Sequence, residues 1–411
     1  MQAQSMDIVI AGGGMVGASL AAALSGLHLN IALIEASPAE LTQQSGYDDR
    51  AIALSYGSSQ ILKGIGVWKD VAEAANPIDS IHVSDRGHFG ATRLNAQQQK
   101  VPALGYLIQA QTYGQVVNRY LEGSNVRVIQ PAKIDAVETS DATQNISVMS
   151  ESGIETIQTK LLVACDGGNS AIRKMSGISA TMHDYEQVAI IANVSTEVPH
   201  ENRAFERFTE QGPIALLPMS DNRCSLVWTL ETNNYQSVLD LDDDAFLTAL
   251  GEAFGYRLGR FTRVGRRSSF PLALTQSSKL ISDRLAIIGN AAHTLHPVAG
   301  QGLNLALRDI ADLAEQLAHA AKQQEDVGSS ELLNAYARVR QKDTARTIQY
   351  TDSLVKLFSN QNFLVGHARA AGLTIVDRLT PFRTLLARQS MGLASQSSRL
   401  ARGLPLLKEI S

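Results

Sequence analysis

Cysteine is scarce in this sequence: only Cys165 and Cys224 occur among 411 residues. Neither has a second Cys or a His at metal-ligand spacing, so we expect no disulfide framework and no metal site. An excess of basic residues is also missing, because 36 Lys and Arg face 40 Asp and Glu and leave a net charge of -4. This balance argues against nucleic acid as a partner.

Long hydrophobic runs are absent as well. No run approaches the roughly 18 apolar residues of a membrane span, and the apolar segment 6–27 lacks a basic leader and is interrupted by glycines. We therefore expect a cytoplasmic protein without a signal peptide, with only peripheral membrane contact. With 44% apolar residues, the chain can bury a full core and is expected to form two structural units.

A glycine-rich turn follows the first apolar run. The segment DIVIAGGGMVGASLAAAL combines a short strand, a turn and an Ala-rich helix, and IALIEAS follows as a second strand. Gly12, Gly14 and Gly17 match G-x-G-x-x-G, and Val16 lies within this motif. Glu35 ends the second strand, where a carboxylate accepts hydrogen bonds from an adenosine ribose and repels a 2'-phosphate. The pattern favours FAD or NAD over NADP; the alternative is a glycine turn that serves packing alone.

Two further motifs follow strands later in the chain. Asp166-Gly167 comes after the apolar run LLVAC, and Gly289-Asn290 comes after LAII. A DG pair alone is usually an ordinary turn. The second pair leads through a loop into a helix, and backbone N–H groups at such a helix start suit a flat ligand ring. The residues of this loop that we consider are Pro297, Gly300, Gln301, Gly302, Leu303 and Asn304.

The order of predicted elements indicates an α/β protein. RAIALSYGSSQILKGIGVW and QTYGQVVNRYLEG have helical character, whereas VAIIANV, PIALLPM and SLVWTL predict a mostly antiparallel sheet. We predict a discontinuous Rossmann-type FAD-binding domain, a substrate-binding β-sheet domain and a helical C-terminal region. The FAD-binding domain is predicted to comprise residues 1–75, 105–180 and 275–345. The substrate-binding domain comprises residues 76–104 and 181–274, and the C-terminal region comprises residues 346–411.

Taken together, the three motifs resemble the flavoprotein monooxygenases to which p-hydroxybenzoate hydroxylase belongs. The resemblance spans nearly the whole chain, and three ordered motifs are more specific than any one. Within that family, the runs DDRAIALSYGS, HVSDRGHFG and GNAAHTLHPVAGQGLNLALRD look like the ubiquinone-biosynthesis FAD-dependent hydroxylases, in particular those that act on 2-polyprenyl-6-methoxyphenols. Asn290 departs from the family pattern, which usually has Asp there, but an amide can still hydrogen-bond a ribityl hydroxyl.

The resemblance implies roles for residues around the flavin. Arg50 matches an arginine near the flavin and the pyrophosphate, and Gln109 or Gln111 is expected to reach the cofactor from the start of a helix. Pro297 matches a proline beside the flavin ring, with a carbonyl group placed to accept a hydrogen bond from the substrate. His296 is its neighbour, so these two are the candidate catalytic residues.

Each of these assignments has a plainer alternative. Arg50 is otherwise a surface charge, the glutamines are solvated polar residues, and Pro297 is an ordinary loop proline. His293 matches a structural histidine of the family. Trp228 and Phe208 are candidates for lining an apolar substrate pocket, although an aromatic residue on a strand more often belongs to the core.

The resemblance also implies a reaction. NAD(P)H binds transiently and reduces FAD, and the reduced flavin forms a C4a-hydroperoxide with O2 that hydroxylates the ring of a polyprenyl phenol. It further implies other ubiquinone-biosynthesis proteins as partners and peripheral contact with the inner face of the membrane. Two alternatives stay open: an FAD-dependent prenyl reductase or dehydrogenase of the same superfamily, and a non-catalytic flavin-binding subunit of a biosynthetic complex.

The segment FLVGHARAAGLTIVDRLTPFRTLLARQSMGLAS near the C-terminus places apolar residues in helical register. Arg369, Arg378, Arg383 and Arg388 are interspersed among them. A basic amphipathic surface of this kind binds anionic lipid. The alternative is a helical cap over the FAD domain.

Overall fold

The computed structural model describes residues 4–38, 50–358, 363–393 and 398–407. The helices in these ranges are α1 Met15–Leu24, α2 Tyr56–Ile65, α3 Trp68–Ala74, α4 Ala96–Gln99, α5 Ala110–Glu122, α6 Ala171–Met175, α7 Tyr235–Leu239, α8 Asp243–Phe254, α9 Gln301–Gln323, α10 Ser330–Phe358, α11 Phe363–Arg378 and α12 Thr380–Ser390. Short 3-10 helices cover Gly289–Ala291, Val298–Gly300 and Leu400–Arg402.

The strands in the same ranges form three sheets. They are β1 Gln4–Ala11, β2 Ile31–Ile34, β3 Ala51–Ser55, β4 Asn76–Ile78, β5 Ser80–Asp85, β6 Ala91–Asn95, β7 Gly105–Gln109, β8 Arg127–Ile129, β9 Ala132–Thr139, β10 Gln144–Ser150, β11 Gly153–Ala164, β12 Ala180–Thr196, β13 Arg203–Thr209, β14 Gly212–Pro218, β15 Arg223–Glu231, β16 Phe261–Val264, β17 Ser268–Ser277, β18 Ile281–Ser282, β19 Leu285–Ile287 and β20 His293–Thr294.

Parallel strands form the centre of the first sheet. Its order is β18-β19-β11-β1-β2-β8, and β1 pairs in parallel with both β2 and β11. These strands are apolar without alternation because both faces are covered. Ile8 and Ile10 pack with α1 and α9, whereas Val9 packs on the β9–β10 side. The predicted Rossmann-type fold is confirmed, and the carboxyl ends of β1, β11 and β19 meet at one edge, where ligands bind in such sheets.

The second sheet is mostly antiparallel, as predicted. Its order is β20-β17-β12-β15-β14-β13-β5-β6, and the β13–β5 pair is parallel. Helix α8 covers one face, where the Trp228 and Phe246 ring centroids are 5.5 Å apart. Trp228 is therefore a core residue and does not line a substrate pocket. Phe208 is buried as well.

The third sheet, β3-β7-β4, corrects one prediction. The sequence predicts a helix from residue 50 onwards, but Ala51–Ser55 is a strand paired with β7, and α2 begins only at Tyr56. Ser55 caps this helix, because its Oγ accepts a hydrogen bond from Ser58 N at 3.2 Å. Cross-strand pairing outweighs the helical spacing of these residues.

A buried ion cluster joins α9 to α10. Arg340 is fully buried, and its Nε donates to Asp309 Oδ1 at 2.7 Å. Its Nη1 lies 3.0 Å from Asp312 Oδ2 and 2.8 Å from Asp343 Oδ2. Burial alone lowers the pKa of Arg340, but the three carboxylates outweigh it and raise the pKa well above its ordinary value. We call Arg340 and these three aspartates the Arg340 cluster.

Replacing Arg340 with Met removes the cation and leaves its three carboxylates buried. We expect Arg340→Met to lower the free energy of unfolding by about 3–5 kcal/mol, because uncompensated buried charge is strongly destabilising. Urea unfolding followed by circular dichroism measures this loss. Arg338→Met, on an exposed position of the same helix, should change stability by less than about 0.5 kcal/mol; equal effects of the two substitutions would contradict the prediction.

Candidate functional site

The glycine turn between β1 and α1 contains glycines of two kinds. Gly12 has a φ of +99°, and a Cβ atom there would lie 2.6 Å from the Cys165 carbonyl oxygen; at Gly17 it would collide with the Gly12 carbonyl oxygen. These two glycines are required by the fold. Gly14 differs, because a Cβ there meets nothing within 4 Å and its φ is -64°. Gly14 therefore borders open space at the N-terminus of α1.

Glu35 is anchored beside this turn. Its Oε2 accepts a hydrogen bond from Gly13 N at 2.6 Å, and its Oε1 accepts one from Ser37 N at 2.7 Å. Each carboxylate oxygen keeps a further lone pair, which is free to accept a ribose hydroxyl. The two backbone bonds hold the carboxylate at the edge of the sheet next to Gly13.

The second motif lies against the first. Asp166 Cα would be 3.0 Å from a Cβ atom at Gly12, and Asp166 Oδ2 accepts a hydrogen bond from Ile172 N at 3.1 Å. Asp166 Oδ1 is buried and, among the described residues, has no hydrogen-bond partner. A buried acceptor of this kind fits a donor supplied by a bound ligand.

The third motif packs on the first helix. Gly289 has a φ of +63°, and a Cβ there would lie 3.1 Å from both methyl groups of Val16. Asn290 follows it and is exposed. His293 is buried, with Nε2 3.4 Å from Asp309 Oδ2, and its pKa is lowered mainly by burial. This position agrees with a structural histidine.

Asn304 fixes the loop that precedes α9. Its Oδ1 accepts hydrogen bonds from Ser55 N at 2.7 Å and Ser58 Oγ at 2.6 Å, while its Nδ2 donates to the carbonyl oxygens of Ala53 and Gly300. Because the amide is fully engaged, it holds β3, α2 and the loop together. The three residues before Asn304 differ in their surroundings. Gln301 is buried, Leu303 packs on the core, and a Cβ atom at Gly302 would meet nothing within 4 Å.

His296 connects the same loop to the antiparallel sheet. Its Nδ1 accepts a hydrogen bond from Val298 N at 3.2 Å, so Nε2 carries the proton and lies 3.3 Å from Gln187 Oε1. The Tyr185 ring packs edge-on at 5.1 Å. Burial lowers the pKa of His296 to about 4. The ring is thus neutral at physiological pH and both nitrogens are engaged.

Arg50 and Gln109 lie at the same end of the β3–β7 strand pair, and Gln109 lines a polar cleft. The Arg50 guanidinium is exposed and stands 5.7 Å from the centroid of the Phe270 ring. Gln109 pairs with Ala51 across β3 and β7. Ala51, Gln109 and Arg223 are among the residues that line a cleft of about 720 Å³.

Two residues were not assigned a place in the site from sequence. Gly13 has room for no side chain, because a Cβ there would lie 2.8 Å from Glu35 Cβ, and the GGG triplet was the available signal. Arg173 joins the second and third motifs, since it donates to the carbonyl oxygens of Ala291 at 2.6 Å and Gly168 at 3.2 Å. The sequence places Arg173 in the segment that follows Asp166-Gly167, but it does not reveal these backbone partners.

The model of the family described as FAD binding domain matches residues 5–351. The ubiquinone hydroxylase UbiL of Rhodospirillum rubrum is 35% identical, covering 97% of this chain and 93% of that protein. The 3-demethoxyubiquinol 3-hydroxylase of Escherichia coli is 31% identical, covering 96% and 100%. The p-nitrophenol 4-monooxygenase PnpA of Pseudomonas putida shares the fold, with a TM-score of 0.77 at 16% identity over 95% of this chain and 100% of that one.

Gly14 allows the cofactor site to be tested apart from folding. A leucine there has backbone room but fills the open space over α1, so we expect Gly14→Leu to fold normally and to be purified with almost no FAD. The flavin released on denaturation measures the FAD content, and circular dichroism of the same sample measures folding. Gly26→Leu, at another exposed glycine with no neighbour within 4 Å, should keep its flavin. Normal flavin content in Gly14→Leu would show that the turn serves packing alone.

Proposed function

The chain belongs to the FAD binding domain family, and from this premise we propose that it hydroxylates the ring of a polyprenylated phenol in ubiquinone biosynthesis, with O2 and NAD(P)H as co-substrates. FAD is the cofactor, and when bound it supplies the redox chemistry. Similarity over nearly the whole chain to enzymes named as ubiquinone hydroxylases carries the proposal. A prenyl reductase or dehydrogenase and a non-catalytic flavin-binding subunit have less support, because the relatives carry hydroxylase names.

The residues around the glycine turn fit the adenosine and pyrophosphate half of FAD. We assign the pyrophosphate to the open space at Gly14, where the α1 N-terminus favours negative charge. Glu35 would accept the ribose hydroxyls, and the unpartnered Asp166 Oδ1 would receive a donor from the cofactor. Other contacts in this half are expected from Gly12, Val16 and Gly17.

We assign the flavin half to the loop before α9. Backbone N–H groups in the first turn of α9 would stabilise negative charge at the ring's pyrimidine edge. The open side of Gly302 supports this assignment, because it leaves room for close approach. Arg50 and Gln109 would reach the cofactor from the β3–β7 side. Gly289 and Asn290 would contact the ribityl chain of FAD, which joins the flavin ring to the pyrophosphate.

Pro297 and His296 would position the loop and the substrate rather than transfer protons. The Pro297 carbonyl oxygen accepts a hydrogen bond from Gly300 N at 2.9 Å, which shapes the loop and leaves one lone pair for a substrate. His296, neutral and engaged at both nitrogens, would hold the loop against the antiparallel sheet. Closure between sheet and loop would exclude water during oxygen transfer.

The division of the chain into domains is part of this proposal. Strands of the parallel sheet fall within 1–75, 105–180 and 275–345, and most strands of the antiparallel sheet fall within 76–104 and 181–274. The exceptions are small: β12 begins at residue 180, β17 ends at residue 277, and the two-residue β20 lies in the loop before α9. The helical region 346–411 would cover the substrate side.

Isotope incorporation tests the activity. With FAD, NAD(P)H and a prenylated 2-methoxyphenol, we expect one atom of ¹⁸O from ¹⁸O2 in the ring product, and NAD(P)H oxidation stimulated by the phenol. Mass spectrometry of the product measures the label. Substrate reduction without label would favour the reductase, and no turnover with FAD bound would favour the non-catalytic subunit.

Helices α11 and α12 present an exposed apolar surface. Ile375, Leu379, Phe382 and Leu385 are each about half exposed or more, between 48% and 68%. Exposed Arg378 and Arg388 lie on the same helices. We name these six residues the C-terminal surface. Its composition supports peripheral contact with an anionic bilayer at the cytoplasmic face, where a polyprenyl phenol would be collected.

The other two arginines of this region do not belong to that surface. Arg369 is 8% exposed and is paired with Asp85 Oδ2, which lies 2.9 Å from its Nη2. Arg383 is partly buried and donates to the Asp377 carbonyl oxygen at 3.0 Å. Of the four arginines in this segment, Arg378 and Arg388 are therefore the exposed ones that the membrane proposal concerns. None of the helices in the described ranges is long and apolar enough to cross a membrane.

Removing the two exposed charges tests membrane contact. We expect Arg378→Gln with Arg388→Gln to weaken co-sedimentation with phosphatidylserine liposomes by about 30-fold, since each basic residue contributes about 1 kcal/mol near such a surface. FAD content should stay unchanged. Arg338→Gln with Arg346→Gln, which removes the same charge from exposed positions of α10, should bind liposomes as the parent does. Equal binding by all three proteins would indicate that these helices form a structural cap and do not bind the membrane through these arginines.

A further inference from the structure

One face of the antiparallel sheet carries a row of half-buried residues. Backbone register places Ile191 opposite Val227, and Val227 opposite Ala215. On the next strand, Glu206 is opposite Ala215. We call these four residues the strip. Each keeps partial exposure, whereas the alternating residues, such as Ile190, are buried in the core under α8. The strip therefore borders space on the side of the sheet away from α8.

The strip lies on the same face of the sheet that contacts the loop we assign to the flavin. Gln187 lies on the same face of β12 as Ile191, because the two are four residues apart, and it contacts His296 in that loop. Phe270 of β17 is on this face as well and lies beside the Arg50 guanidinium. A substrate ring held between sheet and flavin would rest on the strip.

Glu206 is the polar end of an otherwise apolar strip. Among the residues that the structure describes, none forms an ion pair with its carboxylate. Burial raises the pKa of Glu206 to about 7. A carboxyl group in this condition changes its protonation near neutral pH.

Among the described residues, groups of α10 and β5 face Glu206. For Tyr350 of α10, burial raises the pKa, Ser390 of α12 lowers it, and the Glu206 charge raises it. On β5, the residue opposite Glu206 is apolar, and the next one on this face, Asp85, is neutralised by Arg369 of α11. Within the described part of the chain, no cation holds Glu206 in its charged form.

We propose that Glu206 accepts the proton of the substrate's ring hydroxyl, so that the phenol reacts as its phenolate; this inference rests on the proposed function. The phenol O–H bond breaks, its electron pair stays on the ring oxygen, and an O–H bond forms on the Glu206 carboxylate. The phenolate ring is more electron-rich, which favours transfer of oxygen to it. The proton returns to the ring oxygen when the product regains its hydroxyl.

The same arrangement selects the class of substrate. Ile191, Val227 and Ala215 suit an aromatic ring, and Glu206 at the end of the strip meets the ring hydroxyl. An O-methyl ether has no proton to give and leaves the half-buried carboxylate without a donor. A site built in this way discriminates strongly against a ligand that lacks the hydroxyl. The enzyme should therefore bind free phenols and reject their ethers.

A pH profile tests the proton transfer. Glu206 is ionised and able to accept a proton only above its pKa, so wild-type kcat/KM for 2-methoxyphenol, an unprenylated probe, should rise through about pH 7. Glu206→Gln should lose this rise, and at about pH 8 its kcat/KM should fall on the order of 100-fold, a typical contribution of general-base catalysis. Glu210→Gln, at an exposed carboxylate four residues away, should keep the wild-type profile.

A binding measurement tests the same group without turnover. At about pH 8, FAD-loaded wild type should bind 2-methoxyphenol at least about tenfold more tightly than 1,2-dimethoxybenzene, as followed by flavin absorbance. Glu206→Gln should lose most of this preference. Its thermal midpoint should not fall, because a carboxyl group with a raised folded-state pKa costs stability once the pH rises above the unfolded-state pKa.

The outcomes separate the two proposals. If Glu206→Gln keeps both the wild-type pH profile and the preference for the phenol, Glu206 is not the proton acceptor, and the hydroxylase function stands. If FAD-loaded wild type hydroxylates no phenol, the proposed function fails. The binding preference then still decides whether Glu206 recognises the hydroxyl.

Discussion

Arg340 lies where α9 and α10 cross, enclosed by three aspartates and without exposure to solvent. Asp309 also contacts the third motif, because its Oδ2 lies 3.4 Å from both Gly289 N and His293 Nε2. The backbone of the third motif is therefore tied to the same carboxylate that pairs with Arg340. The position of that motif against the parallel sheet depends on a cation about fifty residues further along the chain.

The glycine turn between β1 and α1 was predictable because its requirements are local. A glycine is needed at Gly12 and Gly17 whatever the rest of the chain does, since backbone atoms occupy the space that a side chain would fill. The parallel and antiparallel sheets followed from apolar runs with and without alternation. These features leave a trace in a few consecutive residues.

Other features depend on contacts between distant segments and left no such trace. Strand β3 exists because β7 pairs with it, although its residues have helical spacing. In the sequence, Arg369 resembles the exposed arginines of its segment, but in the structure it forms an ion pair with Asp85. Glu206 stands out only when the register of four strands puts it in line with an apolar row. In each case the deciding partner lies dozens to hundreds of residues away.

The hydrogen bonds of Asn304 also bear on the order in which the protein matures. They join a loop near residue 300 to β3 and α2 near residue 55. The glycine turn emerges from the ribosome first, but the opposite wall of the same cavity is synthesised almost 300 residues later, and Arg340 later still. A nascent chain thus carries half a binding site for most of its synthesis. A truncated chain that stops before α10 contains both walls but lacks Arg340, so Asp309, which contacts the third motif, loses the cation that pairs with it.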